Sequence, residues 1–208
     1  MLDRSLRRAL EAPLAAAARI LDRPGITPDG LTLTGLGLGI ASAALAAVQW
    51  WGWALALWLV SRVIDGLDGA LARRRRADGR GTDSEAGGFL DITADFVVYG
   101  AGVLGVAIGA TAGFDAAWWP FLVVLLAYYV NGAAFLAFSS IAERTGRRID
   151  DGRSLSFLGR IAEGTETIVV HALWLLLPFW AEPIALVWAI VVAISAVQRV
   201  VAGYRALR

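Results

Sequence analysis

Apolar runs of roughly 20 positions, the length that spans a hydrocarbon core, can be drawn at 31–50, 53–72, 88–110, 118–140, 158–178 and 184–203. The pattern predicts an all-α integral membrane protein with six transmembrane helices. Ahead of the first run, Leu2, Leu6, Leu10, Leu14, Ala17 and Leu21 recur every three or four residues among arginines. That periodicity predicts an N-terminal amphipathic helix lying in the interface, with residues 1–28 forming this helix and its linker. Charges interrupt the segment throughout, so it does not read as a cleavable signal peptide. Residues 1–208 read as one membrane domain.

The polar positions between the runs orient the chain. Arg4, Arg7, Arg8, Arg19 and Arg23 precede the first crossing, and Arg73 to Arg76 with Arg80 separate the second from the third. Arg144, Arg147, Arg148, Arg153 and Arg160 surround the link from fourth to fifth, and Arg205 and Arg208 follow the last. The other three turns hold no arginine and instead carry Trp50, Trp51, Trp53, Trp118, Trp119 and Trp180. The positive-inside rule and the aromatic belt together predict a multi-pass membrane protein with cytoplasmic termini and charged loops.

Composition agrees: 58% of the 208 residues are hydrophobic and the mean hydropathy is +0.62, which suits a polytopic membrane protein. The chain has no cysteine, which excludes disulfides and thiolate chemistry. The net charge of +1 carries little information, and no nucleic-acid partner is expected.

Four carboxylates stand where lipid would make them costly. At about 100° per residue, Asp65, Asp68, Gly69, Ala72 and Arg73 share one face of the second crossing, while Gly87, Asp91 and Asp95 recur every four residues along the third. All four acids lie at one depth, roughly 6–12 Å beneath the cytoplasmic surface at about 1.5 Å per residue. Their combined charge of about −4 requires balancing, which two divalent ions would provide. Oxygen-only ligation favours Mg²⁺ or Mn²⁺, and a paired-metal site suits phosphoryl transfer.

The pattern Asp65-x-x-Asp68-Gly69-x-x-Ala72-Arg73, followed by Gly87-x-x-x-Asp91-x-x-x-Asp95, resembles the signature of the CDP-alcohol phosphotransferases, also called CDP-alcohol phosphatidyltransferases. The resemblance implies a six-helix, usually homodimeric enzyme of phospholipid biosynthesis. Such enzymes transfer a substituted phosphoryl group from a CDP-linked donor to an alcohol and release CMP. By position it implies that Asp65, Asp68 and Asp91 ligate metal, that Asp95 approaches the metals and acts as general base, and that Asp65, Gly69, Ala72, Arg73 and Gly87 line the donor site. Thr27-Pro28-Asp29-Gly30-Leu31-Thr32 resembles the family's Pro-Asn-x-x-Thr entry, with Asp29 in place of asparagine and Thr32 matching. The stretch 74–86 is longer than the resemblance implies and reads as a loop. The expected donor is CDP-diacylglycerol; the acceptor is a small polar or phosphorylated alcohol.

Several residues keep two readings. Glu163 and Glu166 either bind an acceptor or form a second shell, or else cap the fifth crossing and pair with Arg160. Arg62 either pairs with the carboxylate box or makes a structural ion pair. Arg147, Arg148, Arg153 and Arg160 either recognise a phosphorylated acceptor or form a solvated, topology-setting loop. His171, alone among apolar residues, reads as packed and hydrogen-bonded rather than ligating, and Asn131 as helix–helix glue. The competing function is a divalent-cation transporter or channel, which would need polar groups leading to the outer side.

Overall fold

A computed structural model describes residues 2–80, 85–145 and 164–208, with side chains from residue 12 onward. The described residues are helical and contain no strand: α1 (Leu2–Leu21), α2 (Pro28–Ala47), α3 (Trp51–Ala77), α4 (Glu85–Phe114), α5 (Trp119–Thr145), α6 (Gly164–Leu176) and α7 (Ala181–Leu207), with a single 3₁₀ turn, Pro178–Trp180, before α7.

Four segments are long and apolar enough to cross a membrane: α2, α4, α5 and Pro178–Leu207. The 27 residues of α3 would extend about 40 Å, but Arg62, Asp65, Asp68 and Arg73 make it less apolar. α6, Gly164–Leu176, has 13 residues.

Several boundaries differ from those drawn from hydropathy. α2 begins at Pro28, three residues earlier, because Thr27 caps it by accepting a 3.0 Å hydrogen bond from the Gly30 N–H. Proline at the first helical position costs no hydrogen bond. The 74–86 stretch is not a loop throughout: α3 continues to Ala77 and α4 starts at Glu85. Hydropathy marks where the apolar core stops, whereas arginine and alanine are good helix formers and carry the helix onward.

Helices α2, α3 and α4 form the tight half of the bundle. Ser61 Oγ donates to the Gly35 carbonyl and Ser42 Oγ to the Ala54 carbonyl, each at 2.7 Å, tying α2 to α3 at two levels. Against α4, the carbonyls of Ala43 and Ala46 press on Gly105 and Gly109 so closely that a Cβ at either glycine would overlap them. Small residues at such seams are what let membrane helices approach. α5 packs on α7, where Trp188 Nε1 donates to Tyr128 Oη at 2.7 Å and Arg199 Nη1 reaches the Asn131 carbonyl at 3.4 Å. Asn131 thus joins the two helices through its main chain. The core between the halves is built from Trp58, Val98, Val103, Val106, Phe121, Val124, Trp174 and Trp188.

α1 lies along α3, with Leu14 and Ala18 against Ala70 and Leu71. Its end is pinned by Asp22, which accepts from Arg74 Nε at 3.1 Å, Arg75 Nε at 3.0 Å and Arg80 Nη2 at 2.6 Å. Arg75 also donates to the Ile26 carbonyl at 2.8 Å. The Arg80 guanidinium first, then Arg75, holds the Asp22 carboxyl down at about 2. Part of the arginine cluster at the end of α3 therefore has a structural partner in addition to its topological signal.

Candidate active site

The facing stripes of α3 and α4 meet. One oxygen each from Asp65, Asp68 and Asp91 lies within 4.8 Å of the others, with Asp68 buried and the other two half-buried. α3 supplies Asp65 and Asp68 three residues apart, hence on one face, and α4 supplies Asp91 from its second turn. Three carboxylates this close repel one another in a poorly solvated place unless protons or cations balance them. All-oxygen donors of this kind fit Mg²⁺ or Mn²⁺.

Asp68 is held at both oxygens. Thr32 Oγ1, from α2, donates to Oδ2 at 2.5 Å, and the Gly69 N–H donates to Oδ1. Thr32, singled out in the sequence only by resemblance, thus touches the trio directly, and its helix joins α3 and α4 in building the site. Asp29 lies exposed in the first turn of α2.

Asp95, one turn beyond Asp91, stands outside the three-oxygen group. Its Oδ1 accepts from Arg62 Nη1 at 2.7 Å, and the same nitrogen is 3.5 Å from Asp65 Oδ1. Arg62 thus forms ion pairs with two of the four acids. Arg62 is 8% exposed; its guanidinium lies 5.3 Å from the Trp58 ring and 5.4 Å from the Tyr99 ring, and donates to Ser61 Oγ at 3.0 Å.

Further along α3, the Arg73 side chain folds over Gly69, where an added Cβ would sit 3.1 Å from Nη1. Ala72 and Gly87 are half-buried, and Arg73 is exposed. Glu166 is half-buried, and its Oε2 has no hydrogen-bond partner among the described residues. Glu163, Arg153 and Arg160 lie outside the described residues, as do Arg147 and Arg148.

His171 is packed, as its surroundings in the sequence suggest. Its ring stacks on Trp58 at 4.7 Å, with planes 13° apart, and its Nε2 is 3.1 Å from Tyr128 Oη. Because Trp188 donates to that hydroxyl, the phenolic proton is available to His171 Nε2. Trp58 Nε1 in turn donates to the Ile168 carbonyl at 3.2 Å.

Sequence reasoning missed Trp58 and Tyr99 as parts of the site. A signal was present for both: Trp58 is four residues before Arg62, and Tyr99 extends the spacing of Gly87, Asp91 and Asp95 by one more step of four. Asp22 was missed because its partners are brought together only by the packing of α1 on α3.

The chain is 38% identical over 214 aligned positions to Inner membrane protein YnjF of Escherichia coli, covering 100% of this chain and 98% of that one. It is 32% identical over 153 positions to archaetidylinositol phosphate synthase of Pyrococcus horikoshii, covering 69% of this chain and 76% of the relative. The fold is similar to that of Mycobacterium tuberculosis phosphatidylinositol phosphate synthase. The CDP-DAG-bound structure of that enzyme aligns with a TM-score of 0.71 at 22% identity, covering 92% of this chain and 93% of that one. Its complex with manganese and citrate aligns with a TM-score of 0.70 at 24% identity, covering 92% and 88%. The CDP-alcohol phosphatidyltransferase model matches residues 25–198, and the chain belongs to that family of membrane enzymes.

Proposed function

We propose that this protein transfers a phosphatidyl group from CDP-diacylglycerol to a small polar or phosphorylated alcohol and releases CMP. The observation that carries the reading is the convergence of Asp65, Asp68 and Asp91, with Asp95 held beside them by Arg62. Support for the donor comes from the family and from the CDP-DAG-bound structural neighbour. The bacterial inner membrane is supported by the apolar helices and the Escherichia coli relative. In this reading the helices α2 to α7 make six crossings, with α1 in the cytoplasmic interface, both termini cytoplasmic, and the protein a homodimer.

Asp65, Asp68 and Asp91 are the residues that would hold two Mg²⁺ or Mn²⁺ ions; when bound, these supply neutralisation of the donor diphosphate and of charge building on the leaving group. Thr32 and the Gly69 amide fix the Asp68 carboxylate so that its oxygens need not reorganise. Gly69, Ala72 and Gly87 keep bulk off the surface against which the cytidine diphosphate lies, and Arg73 pairs with a phosphate oxygen. Asp95 takes the proton of the acceptor hydroxyl. The acceptor oxygen then forms its bond to the lipid-side phosphorus as the bond from that phosphorus to the CMP oxygen breaks. Positioning supplies much of the rate.

A conducting path would require polar groups beyond the carboxylates. The described core there is Val103, Val106, Ala110, Phe121, Val124 and Trp174, which offers no relay of ligands for a cation.

The test is a screen of glycerol 3-phosphate, inositol phosphate, a phosphosugar and serine with CDP-diacylglycerol and Mg²⁺ or Mn²⁺, scored by released CMP. The expected result is CMP release that requires an acceptor, stops with chelator, and is lost in Asp68→Asn and Asp95→Asn. CMP release indifferent to chelator, or absent with every acceptor, would overturn the reading.

A further inference from the structure

Away from the carboxylate site, the end of α1 and the end of α3 bring together Arg19, Arg23, Arg74, Arg75 and Arg80. Three of them are fixed by one acid. Asp22 Oδ1 accepts from Arg75 Nε at 3.0 Å, and its Oδ2 accepts from Arg74 Nε at 3.1 Å and Arg80 Nη2 at 2.6 Å. Arg75 Nη2 also donates to the Ile26 carbonyl at 2.8 Å and reaches the Arg23 carbonyl at 3.4 Å, and Arg80 Nη2 donates to Asp78 at 2.8 Å. The acid is covered and the cations are not: the Asp22 side chain is 4% exposed, against 36% for Arg74 and 54% for Arg80. Arg19 and Arg23 are exposed, and their side chains have no ion pair among the described residues. Five guanidiniums against two carboxylates, Asp22 and Asp78, leave an excess of three positive charges at the surface.

A topological signal requires charge but no geometry. Here a covered carboxylate holds three guanidiniums in place, and guanidinium forks match the oxygens of a phosphate. The neighbouring apolar surface selects the source of that phosphate. Ile20, between Arg19 and Arg23 on the outer side of α1, is 65% exposed, which serves nothing in binding a soluble anion but suits the boundary between headgroups and acyl chains. Resting on the reading that α1 lies in the cytoplasmic interface, we propose that this corner docks the phosphate headgroup of an anionic phospholipid in the same leaflet. Clusters of four or more arginines at the cytoplasmic end of a crossing attract such lipids by about 1 kcal/mol each. The Asp22 clamp adds order to that attraction, and a lipid seated on both helices bridges α1 to α3. None of these residues belongs to the carboxylate site, so the dock is independent of the transfer chemistry.

The test titrates full-length protein in an uncharged detergent with dioctanoyl phosphatidylglycerol or dioctanoyl phosphatidylcholine and counts bound lipid by native mass spectrometry. Wild type should bind the anionic lipid about tenfold or more tightly than the neutral one. The double variant Arg19→Gln, Arg23→Gln, which leaves the Asp22 clamp intact, should lose about tenfold or more in affinity for phosphatidylglycerol and stay within about threefold for phosphatidylcholine. Removing two charges elsewhere, by Arg205→Gln with Arg208→Gln at the end of α7, should change neither by more than about threefold. Arg80→Gln should cost about fivefold; should it fail to fold, the Arg19, Arg23 pair decides alone. Equal affinity for the two lipids, or a loss in the Arg19, Arg23 pair no greater than in the α7 pair, would overturn the proposal. So would displacement of phosphatidylglycerol by an equal concentration of inorganic phosphate, which would mark a site for a soluble anion. The orientation is checked separately: the chain has no cysteine, so Ala77→Cys gives one thiol, expected to react with a membrane-impermeant maleimide only after spheroplasts are permeabilised. Labelling before permeabilisation would sink the cytoplasmic orientation alone, since the lipid titrations are made without a bilayer.

Discussion

Replacing Gly105 by alanine adds one methyl group and sets two effects against each other. In a helix interior alanine is favoured over glycine by about 1 kcal/mol, so the exchange would stabilise α4 if nothing faced the new group. At Gly105 something does: the added Cβ would overlap the Ala43 carbonyl, with the Ala43 carbon atoms immediately behind it. Ordinary C···O contact needs about 3.3–3.6 Å, so α2 and α4 must part by on the order of 1 Å, enough to forfeit a quarter to a half of the dispersion along that seam. Overpacking costs about 1–3 kcal/mol, and the upper end applies because the obstructing atom belongs to backbone and has no rotamer to escape into. The net loss is about 2 kcal/mol, or roughly 4–8 °C in Tm for a chain of this size. The matched control is Gly37→Ala on the exposed face of α2, where a Cβ meets nothing within 4 Å; its Tm should hold or rise by up to about 4 °C. Thermal unfolding of the detergent-solubilised variants, followed by size-exclusion fluorescence, reads both. Gly105→Ala as stable as Gly37→Ala would refute the close α2–α4 seam.

Thr32→Val removes the 2.5 Å hydrogen bond to Asp68 at constant shape, and Mn²⁺ affinity should fall by about tenfold or more while Thr32→Ser stays near wild type; titration by electron paramagnetic resonance checks it. Tyr128→Phe strands the Trp188 N–H and the His171 ring nitrogen, which should cost about 1–3 kcal/mol and appear as a lower Tm with Mn²⁺ affinity unchanged. Asp22, held at about 2 by Arg80 and Arg75, has a folded value below its unfolded one of about 3.9. Its contribution is therefore complete above pH about 4 and fades as pH falls towards 2. Wild type should unfold at a higher temperature than Asp22→Asn at pH 7, and the difference should close on acidification; a constant gap would argue against the arginine clamp.

The pairing of α3 with α4 was legible because helical spacing puts Asp65 with Asp68 and Asp91 with Asp95, and because acids in apolar segments turn away from lipid towards a shared counter-charge. Which acid pairs most closely with Arg62 was less legible. Asp95 differs from Asp91 only in lying one turn deeper, yet that turn brings it against Arg62, and no spacing on a single helix reveals which acid a cation on the neighbouring helix will choose. Hydropathy located the apolar cores of the helices but not their ends, since Arg74 to Ala77 continue α3 by propensity and Thr27 sets the start of α2 by capping. Asp22 stands 52 residues from Arg74 along the chain, so its role as anchor emerges only from how α1 lies on α3. His171 was legible as a packed residue because it is a lone polar group in an apolar run; that it braces the rings around Arg62 depends on three helices meeting.

The central claim concerns where cations bind, and the most direct measurement is an anomalous difference map from crystals of the full chain grown with Mn²⁺. The account predicts manganese density within coordination distance of carboxylate oxygens from Asp65, Asp68 and Asp91, with Arg62 still on Asp95. Manganese elsewhere, or none at these three acids in crystals of protein that releases CMP, would contradict it.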